Sequence, residues 1–263
     1  MECILTRNCE DTEQLRKNEM VYEIRTMKKI TVIISAGDTD KYTEETQDSL
    51  LAQSIVNDIE IIDQTKPDQI ICRDEVLKKA EGKYLYFMKS GDLLTSFALE
   101  ELWNICEAEH LDILLFSGAV FYENTKLAKR YKNLSDKFYR SGSYTQVMTG
   151  KEIRNQLKKN KDILPSASMQ ILRKDFLIRE KTGFHNKTGT DRFFTGRILL
   201  KAERAFCVND VYLYKRITEP SGVGKMLQVL TMRGYLAKKI FRYLRKNGIK
   251  CTGKAIIRKL RVR

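Results

Sequence analysis

Apolar residues run almost unbroken through Ile30-Thr31-Val32-Ile33-Ile34-Ser35 and stop at Gly37 and Asp38. This β-branched stretch predicts a buried strand that ends in a loop. Asp40 stands where it can cap a helix carrying Leu50, Leu51 and Ile55 on one side, and Ile59-Glu60-Ile61-Ile62 reads as a second strand. Gln69 to Cys72 forms a further short run. A helical stretch through Val76, Leu77 and Ala80 is stopped by Gly82, and Tyr84-Leu85-Tyr86-Phe87-Met88 predicts another strand, followed directly by the loop Lys89-Ser90-Gly91-Asp92. Next come a helix with Leu99, Leu102, Trp103 and Cys106 on its apolar face and two strands, Asp112 to Ser117 and Ala119 to Tyr122. Such alternation predicts an α/β fold with a mostly parallel central sheet flanked by helices on both faces.

The pattern is less regular further on. A charged stretch leads to Arg140, a helix is predicted from about Gly150 to Lys159, and Ile171 to Thr195 is rich in aromatic and charged residues. The first 26 residues lack an apolar period and read as an extension before a domain of residues 27–224. Beyond it, Val229, Met232, Leu236, Ile240 and Tyr243 recur at helical spacing among Lys238, Lys239, Arg242, Arg245 and Lys246, until Gly248 ends the run. Residues 225–263 are therefore expected to form a basic amphipathic helical tail.

The net charge of +14 changes meaning once it is located. Thirteen of the 48 Lys and Arg residues lie between Lys225 and Arg263, where there is no Asp or Glu, so the remaining 35 meet 34 acidic residues. A nearly neutral body without a basic stripe or a binding motif argues against nucleic acid. The tail suits either an anionic lipid surface or packing against the main domain, a second copy or a partner protein. Six scattered cysteines without a Cys-x-x-Cys pair read as reduced thiols. No apolar run approaches the roughly 20 residues of a membrane span, and charges interrupt the first ten residues. These features lead to the expectation of a cytoplasmic protein, peripheral on the inner face of the membrane if the tail engages lipid.

In an open sheet of this kind ligands sit beyond the C-terminal strand ends, so the loops carrying Asp38, Asp63, Lys89 and Asp92 should converge on one crevice. The order of these blocks resembles family 2 of the glycosyltransferases, inverting enzymes with the nucleotide-sugar-binding fold called GT-A. The likeness runs from about Lys28 to Lys225. Its first block is Ile30 to Asp38 with Asp48-Ser49-Leu50-Leu51-Ala52-Gln53-Ser54, and its second is Asp58 to Asp63, whose terminal Asp63 inherits a nucleobase contact. Arg73-Asp74-Glu75 resembles the family's Arg-Asn helix. Phe87-Met88-Lys89-Ser90-Gly91-Asp92 is similar to a Phe-Leu-Asp-Ser-Asp-Asp pattern whose acidic residues bind a divalent metal, and of these only Asp92 remains. Thr190-Asp191-Arg192-Phe193-Phe194-Thr195 resembles the Glu-Asp-x-x-Phe-Thr segment that supplies the catalytic base, and Tyr212 to Arg216 the closing Tyr-rich strand.

The resemblance implies sugar transfer from a nucleotide-sugar donor, a UDP-sugar, to a saccharide or lipid-linked acceptor of a bacterial surface polysaccharide. Asp191 is then the base, with Asp38, Asp63, Arg73, Lys89 and Asp92 at the donor. Inverting transfer needs a carboxylate for the acceptor proton and a positive centre at the departing diphosphate. Mg2+ or Mn2+ usually provides that centre and prefers several carboxylates, which Lys89 and Gly91 do not offer, leaving Asp92 as the sole metal candidate. Three readings of Lys89 stand side by side: its ammonium takes the place of the cation, the site is kept for binding alone in an inactive relative, or Lys89 is a solvated surface residue. Asp191 and Asp92 read equally well as helix caps, and Asp63 and Arg73 as loop-capping and surface residues. Gly222-Val223-Gly224-Lys225-Met226 lacks the full spacing of a phosphate-binding loop.

Overall fold

A computed structural model describes residues 27–37, 40–66, 73–134, 136–164, 166–180 and 191–219. Three parallel strands form the first half of the sheet: β1 (Ile30–Ser35), β2 (Ile59–Gln64) and β3 (Tyr84–Lys89). Strand β1 lies between the other two, with Ile34 opposite Asp63 on one side and Met88 on the other. Helix α1 (Thr43–Leu51) connects β1 to β2, and α2 (Arg73–Lys79) precedes β3. Period-two alternation sends Tyr84, Tyr86 and Met88 into the same apolar layer as Ile30, Val32 and Ile34, and Leu85 into the opposite layer with Ile33, Val76 and Leu77. A strand apolar on both faces needs helices over both, which explains the unbroken hydrophobic runs.

After β3 comes the two-residue strand β4 (Leu93–Leu94), then α3 (Ala98–Ala108), β5 (Ile113–Tyr122), α4 (Thr125–Arg130), α5 (Gly150–Lys159), β6 (Gln170–Arg173), α6 (Lys174–Arg179), α7 (Asp191–Lys201) and β7 (Ala205–Ile217). The sheet order is β2-β1-β3-β6-β5-β7-β4. Three pairings are parallel, and these carry the long ladders; the short β6 is antiparallel to β3 and β5, and β4 is antiparallel to β7. Strands β3 and β4 are four neighbours apart, about 19 Å in a flat sheet. The connection from Lys89 to Leu93 contains only Ser90, Gly91 and Asp92 and spans at most about 14 Å. The sheet must therefore curl, and it is curled.

Several sequence expectations are refined. Helix α1 ends at Leu51, which is 60% exposed, and Ile55 is buried one turn past its end. Asp40 opens a 3-10 turn, and Tyr42 occupies the N-cap position of α1. The two strands expected on either side of Gly118 are one strand, β5, whose register against β7 shifts around Ser117. Gly118 lets β5 continue because a Cβ there would lie 2.7 Å from Met169 Cε and 3.0 Å from Leu213 O. Strand β6 lies inside the segment whose pattern was irregular. The run Gln69 to Cys72, the extension 1–26 and the tail 225–263 lie outside the described residues.

Helix α5 coincides with its predicted bounds and begins with a capping box: Thr149 Oγ1 accepts the Glu152 N–H, and Glu152 Oε2 accepts the Thr149 N–H at 2.9 Å. Its first residue, Gly150, touches α7 so closely that a Cβ would sit 1.5 Å from Leu199 O. Only displacement of one helix from the other could accommodate a methyl group. Gly150→Ala should therefore destabilise the fold by at least roughly 2 kcal/mol in chemical denaturation, against the slight stabilisation expected at an ordinary helix position. A change within 0.5 kcal/mol, on the order of a neutral surface substitution, would show that the helices do not meet this closely.

Candidate functional site

The C-terminal ends of β1 and β3 are tied together by hydrogen bonds. The Ser90 N–H donates to Ser35 O at 2.9 Å, Ser35 Oγ donates to Met88 O at 3.1 Å, and the Ser90 and Thr43 hydroxyls lie 2.8 Å apart. Gly37 lets the loop after β1 press on this turn, since a Cβ there would be 2.3 Å from Ser90 O. Gly91 has φ +96°, its N–H donating to Thr46 Oγ1 at 2.7 Å. An aspartate at position 91 would be strained by this backbone.

Asp92 follows and is only 3% exposed. Its Oδ2 accepts from Lys215 Nζ at 2.9 Å and its Oδ1 from the Arg216 N–H at 3.1 Å. Arg216 Nε donates to Gly91 O at 3.0 Å. The Arg216 guanidinium stacks 3.9 Å from the Tyr42 ring centre and 4.5 Å from that of Phe121, and pairs with Glu45. The end of β7 thus clamps the β3–β4 turn. Burial pushes the Asp92 carboxyl above its ordinary range, while Lys215, the Arg216 N–H and Lys89 pull it back.

A hard divalent cation does not fit this arrangement. Both Asp92 oxygens are occupied, the flanking positions are Lys89 and Gly91, and among the described residues no three His, Cys, Asp or Glu side chains group as a metal site would require. Asp92 is not a helix cap either, because α3 begins at Ala98 behind Phe97.

Lys89 ends β3 with an exposed side chain whose ammonium has no hydrogen bond or ion pair among the described residues. Asp63 stands one register step back on the far side of β1, its side chain on the opposite sheet face from that of Lys89. Its carboxylate accepts from Gln47 Nε2 at 3.0 Å and from the Thr65 N–H at 2.8 Å, so it organises the loop after β2. Gln64, in register with Ser35 beside Lys89, is a group the sequence did not single out: it is buried, and its Nε2 has no hydrogen-bond partner. Arg73 and Asp191 open α2 and α7, but their side chains, like Asp38, lie outside the described residues. The partnership of Lys215 and Arg216 with Asp92 also had no local signal beyond the closing strand itself.

No protein-family model and no curated protein matches the chain. Solved structures do. The chain is similar to S. aureus TarS residues 1–349 in complex with UDP-GlcNAc, at TM-score 0.54 and 19% identity over 74% of this chain and 59% of that one. It is likewise similar to the same TarS fragment in complex with UDP, at TM-score 0.53 and 18% identity over 72% and 60%. TarS is a glycosyltransferase. The fold is glycosyltransferase-like. The chain spans about three-fifths of the length of these TarS fragments, and no helix among its described residues is long and apolar enough to cross a membrane.

The Asp92–Lys215 pair can be tested directly. Lys215→Met leaves a buried carboxylate without its cation and should cost about 3–5 kcal/mol at neutral pH. A carboxyl held above its unfolded value favours folding below that value and loses this contribution as pH rises. The variant's carboxyl is raised further, so its deficit should shrink as pH falls and Asp92 takes up a proton, and widen towards neutrality. Denaturation across this range would reject the pair if the deficit were independent of pH.

Proposed function

We propose that the chain transfers a sugar from a nucleotide-sugar donor, a UDP-sugar, to a saccharide or lipid-linked acceptor in bacterial surface-polysaccharide synthesis, without a divalent metal. The observation that carries this reading is the fold shared with TarS, together with a cationic strand-end site where Lys89 presents a free ammonium beside the buried Lys215–Asp92 pair. Asp191 accepts the acceptor hydroxyl's proton as that oxygen bonds to the anomeric carbon. The anomeric carbon–oxygen bond breaks, and its electron pair leaves on the nucleoside diphosphate. Lys89 stabilises that charge as a phosphate partner, while Asp63, Gln64, Arg73 and Asp38 hold the nucleotide end.

A second reading is a non-catalytic relative that binds a nucleotide or a partner transferase. Its support is the engagement of both Asp92 oxygens by Lys215 and Arg216, which removes the one metal candidate. Titration of UDP and UDP-sugars against thermal stability separates the readings, since a ligand bound only by the native state raises it. The expected result is an increase that is the same in EDTA and in Mn2+, with Lys89→Met weakening UDP binding about 10-fold or more. Asp191→Ala should retain UDP binding and lose on the order of 100-fold or more in donor turnover. No stabilisation by any nucleotide would exclude both enzyme and nucleotide binder, and binding without turnover would select the second reading.

Residues 225–263 in this proposal hold the protein at the anionic inner face of the membrane, near a lipid-linked acceptor, or against a second copy. Sedimentation with anionic vesicles should carry down the full chain and not residues 1–224, at low salt more than at high salt. Equal partitioning of the two would end the membrane part of the proposal.

A further inference from the structure

Arg140 closes a charged stretch and is nonetheless only 2% exposed. Its N–H donates to Ser117 Oγ at 2.9 Å, and its Nη1 donates to Phe116 O, which pins the side chain against the middle of β5. Its Nε has no partner. No carboxylate among the described residues lies within ion-pair distance of it. The buried acid whose charge it feels, Asp162, already accepts from the Ser141 N–H at 3.1 Å, the Gly142 N–H at 2.7 Å and the Tyr144 hydroxyl at 2.6 Å. A guanidinium stays protonated even when burial disfavours its charge, and a buried, unpaired one is costly.

Arg140 lines a cavity of about 170 Å3 between β5, α5 and α7, together with Arg154, Thr195 and the apolar side chains of Leu115, Leu157 and Leu199. Thr195 Oγ1 is buried and also lacks a partner. So does Nε2 of Gln170, which is 1% exposed and sits directly across from Leu115, on the same face of the sheet. Two orphaned polar atoms, Arg140 Nε and Thr195 Oγ1, therefore belong to side chains that line this cavity. The first can only donate, and the second can donate. Buried polar atoms in native proteins are nearly always satisfied, so this surplus of donors calls for an acceptor. Arg154 adds a second guanidinium at the half-buried wall beside Ile163, which is 44% exposed and marks the open side.

We infer that this cavity is a binding site for a small organic acid, whose anionic head lies against Arg140, Arg154 and Thr195 and whose apolar body lies along Leu115, Leu157 and Leu199. Planar guanidinium groups match a carboxylate bidentately, and a cavity of about 150 Å3 is known to hold a benzene ring. The site belongs to the apolar layer that includes Ile153 and Ile198, and it does not depend on the proposed transferase reaction.

Benzoate and its neutral isostere benzamide, each titrated at constant ionic strength while thermal unfolding of the full chain is followed, test the inference without any activity readout. Benzoate should raise the midpoint saturably and benzamide should not. Arg154→Gln, at the cavity wall, should fold and weaken benzoate at least tenfold, as should Thr195→Val to a smaller degree. Absence of a saturable effect of benzoate would mean that water satisfies these groups and would overturn the inference. Equal action of benzamide, or unchanged benzoate binding in Arg154→Gln, would overturn it too.

Discussion

The short connection between β3 and β4 governs this fold. Three residues link strands that stand four neighbours apart in the sheet order, and no flat sheet can satisfy that link. The resulting curl carries the end of β7 onto the β3–β4 turn. Asp92 then meets Lys215 and the Arg216 backbone, and Arg216 reaches over Gly91 to stack between Tyr42 and Phe121. The chain's two halves are joined both by backbone ladders and by this buried ionic contact.

The same contact determines what the strand-end site can do. A carboxylate that would otherwise be free for a cation is neutralised from within the protein, and the turn that presents it requires glycine at 91. Positive charge nonetheless remains at the site. Lys89 is exposed at the end of β3, with the unpartnered amide nitrogen of Gln64 two strands away. Lys89 thus stands as a cation beside strand ends whose backbone is tied together by Ser35, Thr43 and Ser90.

Much of this was legible in the residues. The apolar runs at Ile30, Ile59 and Tyr84 became the parallel strands, and the stretch from Gly150 to Lys159 became a helix with its capping box, because pattern and cap are properties of neighbouring residues. Strand β6 was not legible: four residues inserted antiparallel between β3 and β5 carry too short a period to stand out. The burial of Arg140 was not legible either, since nothing in a charged stretch signals it until Ser117 and Phe116 are placed around that residue.

The residues alone carried the α/β alternation, the positions of the strand-end loops and the identities of Lys89, Gly91 and Asp92, since each depends on residue type and local spacing. The folded chain alone set the curl of the sheet, the engagement of Asp92 by a lysine 123 positions away, and the meeting of Arg140 and Thr195 at one cavity. Those outcomes depend on which distant segments share a ladder or a layer, and chain periodicity carries no information about that choice.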